Sequence, residues 1–523
     1  MELNDDIKEY QRLLRKHQYD FCKLVYIVFP FGEVGHELEH MRPYTWQMEE
    51  WAKLSAHLQN PLTRYKPYKL NISSGNGAAK TSFMAMTYCM LTLTQRVRGR
   101  VTANTEDQMR TITWVEFGVW YRRARYMNTF FELLGESITT RDNSIGKAWQ
   151  LSAVTWDAKN PVAMSGLHNM GYAIFLGFDE AAGIPAIIWE YASGAMSDAN
   201  TIKIWFAVGN SDDPNSKFEQ NMTDPTWNSR RIDTRELDHI DKTWVNDMLV
   251  NDCGGDEDHD IFRVRVRGLP RKSAEGAIIK LEQAQAAFKK RDTNDPLRLR
   301  LPSILTCDPA WHGGDETVIA HMQGPIITIL ERFKLKKNVQ DHSYTYNLMC
   351  QWERALKVDK VFIDQAEGTT LKTLATQHAK YHWTLVPFGA LPNDQSDPKD
   401  SEYANMRAMM YYRLQDFVVK NGGHIVVRDP QWSDESMKQM TWAKEDRHKQ
   451  TGKKKVGSKA EIKVEYGKSP DVADAMVLCF AEIVTERLPE HETVERDAHN
   501  NGPMVRNDEY NPNESLDKAF NDI

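Results

Sequence analysis

The chain has 523 residues, of which 41% are hydrophobic and 27% are charged, an ordinary globular composition. That length predicts more than one domain, because a single hydrophobic core seldom grows past about 250–300 residues. The net charge of -7 does not exclude a polyanionic partner, because local stripes of charge govern such contacts. No apolar run approaches the roughly 20 residues that cross a bilayer, and the first residues lack the order of a signal peptide. We therefore expect neither a membrane protein nor an exported one.

The six cysteines lie far apart in the chain, and none of them forms a CxxC pair. This spacing fits neither a zinc ribbon nor a disulfide framework. It favours reduced thiols in a cytosolic compartment.

Two stretches of the chain alternate short apolar runs with helical patterns, which is typical of α/β folds. The first covers roughly residues 45–265 and the second roughly residues 300–485. A basic segment with Gly and Pro separates them, which indicates a linker. The acidic tail contains several Pro and Asn, which predicts disorder or a bound partner. The predicted organisation is a first domain at 1–265, a linker at 266–299, a second domain at 300–485 and a tail at 486–523.

A Gly-rich turn follows a predicted strand at residues 68–72 and precedes an apolar helix. Strand, Gly-rich turn, Lys-Thr and helix is the P-loop order, in which backbone N–H groups surround phosphates, the lysine neutralises charge and the hydroxyl binds Mg²⁺. The usual pattern has Gly where this chain has Ser74 and Ala79, so an ordinary Gly-rich turn is the alternative. The candidate nucleotide-binding residues are Gly75, Asn76, Gly77, Ala78, Ala79, Lys80 and Thr81.

A second buried strand is predicted at residues 173–178, and it ends in Asp179 and Glu180. Ligands of open α/β sheets bind at the carboxyl ends of the strands. Asp179 is therefore predicted to hold Mg²⁺ and Glu180 to polarise an attacking water, two roles that NTP hydrolysis needs. A charge at a helix N-terminus is the alternative interpretation, and the upstream Lys80-Thr81 pair favours the first.

Further polar residues are candidates for the same site. A strand predicted at residues 202–208 leads to Asn210, whose amide could sense a γ-phosphate. Upstream, the amide of Gln47 could contact an adenine edge. The candidates for an arginine finger are Arg110, Arg122 and Arg123, which a solvated helix face explains equally well.

Aspartates mark the second stretch. Asp308 and Asp364 each end a predicted strand, and Asp474 lies near the start of a late apolar helix, three residues after Asp471 on the same face. RNase H-like nucleases gather carboxylates in this way to hold two Mg²⁺ or Mn²⁺ ions, which activate water and stabilise the leaving oxygen. A single Asp at a strand end is more often a turn residue, but the ordered set favours a metal site. The expected ligands are Asp308, Asp364 and Asp474, with Asp471 as the alternative on the helix.

A basic run at residues 444–459 immediately precedes this helix. A solvated surface loop is the simplest interpretation of such a run. Beside a nuclease site it could instead follow a DNA backbone. The candidate DNA-binding residues are Lys449, Lys453, Lys454 and Lys455.

Together these residues resemble the large terminase subunit of tailed double-stranded DNA bacteriophages, a packaging motor and nuclease. The resemblance covers roughly residues 40–485, and its most specific stretch is 458–475. It implies an ASCE-type P-loop ATPase domain followed by an RNase H-like nuclease domain. It also implies ATP and Mg²⁺ at the first site and two Mg²⁺ or Mn²⁺ ions at the second. The ATPase roles then fall on Lys80, Thr81, Asp179 and Glu180, the adenine contact on Gln47, the coupling role on Asn210, and the metal-ligand roles on Asp308, Asp364 and Asp474.

The resemblance further implies that the protein pumps DNA through a portal into a procapsid and cuts concatemeric DNA. The expected partners are double-stranded DNA, a portal protein, a small terminase subunit and further copies of the chain in a ring. The expected location is the host cytoplasm and, transiently, the portal vertex. One alternative is a helicase-nuclease of DNA repair or restriction, which would need a second ATPase core that the sequence after Asn210 does not offer. The other is a non-catalytic DNA-binding scaffold, which the intact Lys80 and Glu180 argue against.

Overall fold

The structure is a computed structural model that describes residues 5–289, 296–311, 314–335, 342–392 and 402–484. The chain forms two compact units, Met1–Glu275 with Ser458–Ser469, and Gly276–Gly457 with Pro470–Ile523. The division at Glu275 falls inside the predicted linker. Residues 291–295 of that linker and the predicted tail at 486–523 lie outside the described residues.

The segment Ser458–Ser469 belongs to the first unit, whereas the sequence assigned it to the second domain. Its helix, Lys459–Tyr466, buries Ile462 and Tyr466. The hydroxyl of Tyr466 donates a hydrogen bond to Asp213 Oδ2 at 3.0 Å. Burial and hydrogen bonding therefore place this segment in the first unit. Residue types alone do not reveal these contacts.

The first unit is built on an eight-stranded sheet with the order β3-β4-β5-β2-β6-β7-β1-β8. Its strands are β1 Tyr68–Ser74, β2 Val97–Thr102, β3 Phe131–Leu133, β4 Ser137–Thr140, β5 Gln150–Ala153, β6 Ala173–Phe178, β7 Ile202–Gly209 and β8 Asn228–Ile232. Its helices are α1 Asp5–Lys16, α2 Phe21–Val28, α3 Thr45–Gln59, α4 Lys80–Thr94, α5 Glu106–Gln108, α6 Trp114–Arg123, α7 Met127–Phe130, α8 Ala186–Ser193, α9 Lys217–Asn221, α10 Lys242–Asp247, α11 Asp260–Arg265 and α17 Lys459–Tyr466.

The centre of this sheet is parallel, from β5 to β8. Strand β7 lies between β1, which leads into the Gly-rich turn, and β6, which leads into Asp179. This insertion is the arrangement of ASCE-type P-loop folds. The carboxyl ends of β1, β6 and β7 therefore meet at one edge of the sheet.

Successive side chains of the central strands enter different cores. Phe206 of β7 packs into the core that contains α4, whereas its neighbour Trp205 packs into the core that contains α8. Phe175 and Leu176 of β6 divide in the same way. Because side chains alternate across a strand, both faces of the sheet are covered.

The second unit contains a six-stranded sheet with the order β13-β12-β9-β10-β11-β14 and a separate hairpin, β15-β16. Its strands are β9 Ser303–Asp308, β10 Thr317–Gln323, β11 Ile326–Phe333, β12 Lys360–Asp364, β13 Trp383–Val386, β14 His424–Val427, β15 Glu445–Arg447 and β16 Lys454–Val456. Its helices are α12 Leu281–Phe288, α13 His342–Leu356, α14 Gln365–Gln377, α15 Met406–Val419, α16 Ser433–Met440 and α18 Asp471–Val477.

Strands β9, β10 and β11 form an antiparallel meander, and β12 joins β9 in parallel. This is an RNase H-like sheet. The predicted fold class, a P-loop α/β domain followed by an RNase H-like domain, is confirmed. None of the described helices combines the length and the apolar character that crossing a membrane requires.

Phe206 provides a test of the first unit's core. Its ring is fully buried and lies 5.5 Å from that of Phe83 and 5.7 Å from that of Phe175, between centroids. We expect Phe206→Ala to lower the free energy of unfolding by about 3–5 kcal/mol, because it removes apolar contacts and leaves a cavity. Hydrogen exchange at the amides of β6 and β7 measures this change. Val34, 87% exposed, supplies the control, since Val34→Ala should stay within about 0.5 kcal/mol. Equal protection in both variants would contradict the packing described here.

Candidate active sites

The Gly-rich turn between β1 and α4 is shaped by close backbone contacts. A β-carbon on Gly75 would lie 2.5 Å from the carbonyl oxygen of Val266, so only glycine fits there. Gly77 and Ala79 have φ angles of 79° and 60°, and Ala79 is the N-cap of α4. An L-residue in this left-handed conformation is strained by about 1–2 kcal/mol. The turn therefore has left-handed backbone at position 79 although alanine replaces the usual glycine.

The ammonium group of Lys80 is held inside this turn. Its Nζ donates to Ser74 Oγ and to Asn210 Oδ1, both at 2.9 Å. Asn210 Nδ2 in turn donates to Asn76 Oδ1 at 3.0 Å. Lys80 is buried, and burial lowers its pKa. Ser74, the other departure from the usual pattern, thus supplies a hydroxyl acceptor for the lysine.

Asp179 lies at the end of β6, beside the start of α4. The hydroxyl of Thr81 lies 3.1 and 3.0 Å from the two carboxylate oxygens of Asp179, and the hydroxyl of Thr113 donates to Oδ2 at 2.7 Å. Burial raises the pKa of Asp179, and the hydrogen bonds from Thr113 and Thr81 oppose this rise. The structure thus joins Thr81 and Asp179, the two residues predicted to hold Mg²⁺.

Glu180 follows with a φ of 45°, a conformation that is uncommon for a residue other than glycine. Burial raises the pKa of Glu180, and the charge of Lys80 opposes that rise. A carboxylate with a raised pKa in a cleft is suited to accept a proton. The cleft has a volume of about 300 Å³ and is lined by Asn76, Gly77, Ala78, Ala79, Lys80, Thr81, Ser82, Ile112, Glu116, Glu180 and Asn210.

Gln47 does not line this cleft. It is 2% exposed, its Oε1 accepts the N–H of Tyr44 at 3.1 Å, and its Nε2 donates to the carbonyl oxygen of Ala79 at 3.4 Å. Both ends of the amide are therefore engaged by backbone, and Gln47 supports the strained residue of the turn. Its contact with an adenine edge stays a prediction.

The arginine-finger candidates also lie outside the lining of the cleft. Arg110 pairs with Glu106 and Glu136, and Arg123 pairs with Glu37. These contacts fit a charged helix surface, so the assignment of a finger stays a prediction.

The sequence patterns did not identify the residues that reach the cleft from α6 or from the turn that precedes it. A π-helical turn, Met109–Thr113, precedes α6 and brings Thr113 to Asp179. In α6, Glu116 accepts hydrogen bonds from Ser82 Oγ and from Trp120 Nε1. These residues form no recognised motif. The π-helical turn cannot be recognised from residue types.

In the second unit, Asp308 and Asp364 end adjacent parallel strands. Ile363 pairs with Cys307 in the register of β12 and β9, so the two aspartates come next on neighbouring strands. Both are buried. Burial raises the pKa of the Cys307 thiol, and the charges of Asp308 and Asp364 raise it further. Asp364 Oδ1 also accepts the N–H of Ala366 at 3.2 Å and so caps α14.

The third carboxylate, Asp474, lies on α18 and is 0% exposed. Its Oδ1 accepts from Arg407 Nη1 at 2.9 Å and from the hydroxyl of Tyr411 at 2.8 Å. Burial opposes the charged form of Arg407, but the charges of Asp474 and, to a smaller extent, Asp308 raise its pKa above the usual value. Both aspartates therefore act on the same buried guanidinium group. Sequence patterns gave Arg407 no role.

Helix α18 is attached to the central strand of this sheet. Thr306 Oγ1 in β9 donates to the carbonyl oxygen of Ala475 at 2.7 Å. Asp471, the alternative ligand, is directed to a different group, because its Oδ2 accepts the N–H of Glu316 at 2.8 Å. Asp474 thus contacts the side chain of Arg407 and Asp471 contacts the backbone of Glu316, and the choice between them as metal ligand stays a prediction.

Buried carboxylates suit hard cations such as Mg²⁺ and Mn²⁺, which prefer oxygen ligands. Within the described ranges, no group of three or more His, Cys, Asp or Glu side chains has the arrangement of a metal site. In the second unit, Arg407 and Tyr411 bind Asp474, and Asp364 caps a helix. The donors fit divalent ions in chemistry and burial, and their role as ligands stays a prediction.

The basic run forms the hairpin β15-β16. Lys454 pairs with Glu402 at 3.0 Å, and Lys455 pairs with Asp446 at 3.4 Å. Lys449, near the tip, is exposed, and Lys453 is half-buried. Of the four candidate DNA contacts, Lys449 and Lys453 are therefore the better placed to meet a partner.

Comparison with known proteins gives matches among solved structures. No family model matches the chain, and no curated protein matches it. The crystal structure of the HK97 bacteriophage large terminase is 11% identical, and the match covers 88% of this chain and 98% of that chain with a TM-score of 0.47. The large terminase from the thermophilic bacteriophage D6E in complex with ADP is 14% identical, and the match covers 79% and 94% with a TM-score of 0.31.

A mutant nuclease domain of the large terminase subunit gp2 of bacterial virus Sf6, with manganese, is 19% identical. That match covers 40% of this chain and 100% of that chain with a TM-score of 0.33. Function does not follow from a shared fold, and it is argued below from the two sites. The structures named above, to which this chain is similar, are large terminases or the nuclease domain of one, the family that its sequence motifs resemble.

Proposed function

We propose that the chain is an ATP-driven motor that translocates double-stranded DNA into a procapsid and cleaves concatemeric DNA. The observation that carries the proposal is the cleft of the first unit, which Lys80, Thr81 and Glu180 line, with Asp179 beside it in contact with the hydroxyl of Thr81. The buried aspartates of the second unit add a candidate for the cleavage step. A motor alone would not require this second group of carboxylates.

The predicted residues in and beside the cleft match the requirements of ATP hydrolysis. Backbone N–H groups of the turn and the ammonium group of Lys80 would bind the phosphates. Thr81 and Asp179 would hold Mg²⁺, which neutralises charge that develops on the phosphate oxygens. Glu180 would orient the attacking water and accept its proton, a role to which its raised pKa is suited.

Asn210 is proposed to couple hydrolysis to movement. Its side chain joins Lys80 to Asn76 of the turn, and it directly follows β7. A change in the contacts of Lys80 with phosphate would therefore act on Asn210. The loop after β7 would receive that change.

In the second unit, Asp308, Asp364 and Asp474 would hold two Mg²⁺ or Mn²⁺ ions, which lower the pKa of a bound water and stabilise the leaving oxygen. Asp308 and Asp364 directly follow a paired position of the neighbouring strands β9 and β12. The carboxylate of Asp474 would have to exchange at least part of its contact with Arg407 for a metal ion.

The proposed partners follow from the resemblance to terminases. They are double-stranded DNA, a portal protein, a small terminase subunit and copies of this chain in a ring, in the host cytoplasm and at the portal vertex. A helicase-nuclease with two P-loop cores is less well supported, because the second unit's sheet is built on an antiparallel meander.

The first test separates the motor from the nuclease. We expect Lys80→Ala to lower DNA-stimulated ATP hydrolysis by at least about 100-fold, because it removes the charge that binds the phosphates. Metal-dependent plasmid cleavage should be retained. Phosphate release and a plasmid gel measure the two activities. Lys23→Ala, whose side chain is 63% exposed, is the matched control, and loss of both activities in Lys80→Ala would contradict the division into two sites.

The second test addresses the carboxylates. Asp364→Asn preserves an oxygen that can cap α14 but removes the negative charge that a divalent ion needs. We expect it to lower Mn²⁺-dependent plasmid cleavage at least about 100-fold while ATP hydrolysis is unchanged. Asp429→Asn changes another helix-capping aspartate of the same unit and should cleave like the wild type. Equal cleavage by Asp364→Asn and the wild type would refute the predicted metal site.

The third test addresses the hairpin. Replacement of Lys449 and Lys453 by alanine should weaken binding to DNA of any sequence. The slope of the logarithm of the binding constant against the logarithm of salt concentration should fall in magnitude by about 1–2, because fewer counterions are released. Fluorescence anisotropy at several salt concentrations measures it. Lys420→Ala, 69% exposed in the same unit, controls for net charge, and an unchanged slope in the double variant would rule out the hairpin as a DNA contact.

A further inference from the structure

The carboxylate of Asp179 has a hydroxyl partner in addition to Thr81. Thr113 Oγ1 donates to Asp179 Oδ2 at 2.7 Å, a shorter distance than the 3.0 and 3.1 Å to the hydroxyl of Thr81. Thr113 is 1% exposed, and Asp179 is 2% exposed. This hydrogen bond therefore lies in the protein interior, where it has little competition from water.

Such a bond has a large effect on a buried carboxylate. A buried charge is unfavourable unless neighbouring groups stabilise it, and hydrogen bonds to charged groups are stronger than those between neutral groups. The hydroxyl thus favours the ionised form and fixes the direction in which the carboxylate points.

The backbone that carries Thr113 has an unusual conformation. The N–H of Trp114 bonds to the carbonyl oxygen of Met109, five residues earlier, which defines a π-helical turn. Such turns are rare and often occur at functional sites. One additional residue in a helical turn rotates the side chains beyond it by about 100° relative to a continuous α-helix. In this turn, Ile112 lines the cleft while the next side chain reaches Asp179.

The segment after the turn is also fixed to the nucleotide-binding helix. Ser82, two residues after Lys80, donates to Glu116 in α6, and Trp120 Nε1 donates to the same Glu116 oxygen at 2.8 Å. Helix α6 is therefore held against α4 independently of the bond between Thr113 and Asp179. The position of Thr113 is set by this packing, so its hydroxyl can direct Asp179 rather than follow it.

We propose that Thr113 is a positioning residue of the Mg²⁺–nucleotide site. It holds the Asp179 carboxylate in the orientation in which that group and Thr81 together receive Mg²⁺. This inference rests on the proposed ATPase function and extends it by a residue outside the P-loop and outside the strand ends.

The test compares variants of the full chain. Thr113→Val keeps the shape of the side chain and removes the hydroxyl, whereas Thr113→Ser keeps the hydroxyl. Thr111→Val makes the same change in the same turn, at an exposed residue whose hydroxyl bonds to the carbonyl oxygen of Asp107. Binding of a fluorescent ATP analogue is measured in EDTA and then during titration with Mg²⁺. Steady-state hydrolysis is measured separately.

We expect all four proteins to bind the analogue equally in EDTA, because the P-loop is unchanged. The Mg²⁺ concentration for half-maximal enhancement of binding should rise about tenfold in Thr113→Val. In hydrolysis, kcat at a fixed Mg²⁺ concentration should fall by a similar factor. Thr113→Ser and Thr111→Val should stay within about twofold of the wild type.

Two results would overturn the positioning role while the ATPase proposal stands. One is a normal Mg²⁺ requirement in Thr113→Val, and the other is a loss of binding already in EDTA, which indicates a purely structural role. A wild type that neither binds nor hydrolyses ATP would overturn the proposed function and this inference together. Circular dichroism checks folding. Thr113→Cys, which carries a weaker donor, gives a second measurement in which a smaller shift of the same sign is expected.

Discussion

Buried charged side chains impose the strictest physical requirement on this protein. Lys80 and Asp179 in the first unit, and Asp308 and Asp474 in the second, are all less than 10% exposed. A charge in such a place is tolerated only where hydrogen bonds or opposite charges surround it. The local structure supplies them as hydroxyl groups at Asp179 and as a guanidinium group at Asp474. Much of the local architecture therefore stabilises the charged groups to which the proposed chemistry is assigned.

The strands that position these groups could be predicted from the sequence. Residues 173–178 are a continuous apolar run and form a strand with the predicted bounds, and the strand predicted to end in Asp308 spans residues 303–308. Such runs can be recognised in a sequence, because a strand that is covered on both faces lacks the alternation of polar and apolar residues. The carboxylates that follow them could be predicted for a related reason, since chain order alone places a residue at the end of its strand. The P-loop could be predicted in the same way, because its contacts are local.

The contacts between distant parts of the chain could not be predicted. Arg407 and Tyr411 lie on the same face of α15 because they are four residues apart. The sequence does not reveal that Asp474 is their partner. The position of Thr113 depends on a π-helical turn, which cannot be recognised from residue types. Gln47 was recognised as a polar residue near the site, yet its neighbours engage both ends of its amide. In each case the partner is chosen by packing, which a single sequence does not display.

The course of the chain near its described end has a consequence for dissecting the protein into domains. Helix α17 belongs to the first unit, while residues on both sides of it belong to the second. A fragment that begins at Gly276 would therefore retain the whole RNase H-like sheet and yet carry a helix without its packing surface. The apolar side chain of Ile462 would meet water, and the hydroxyl of Tyr466 would lose Asp213. Because α18 directly follows this segment, the disturbance would begin next to Asp471 and Asp474. The two units are thus distinct in topology, but no single division of the chain separates them.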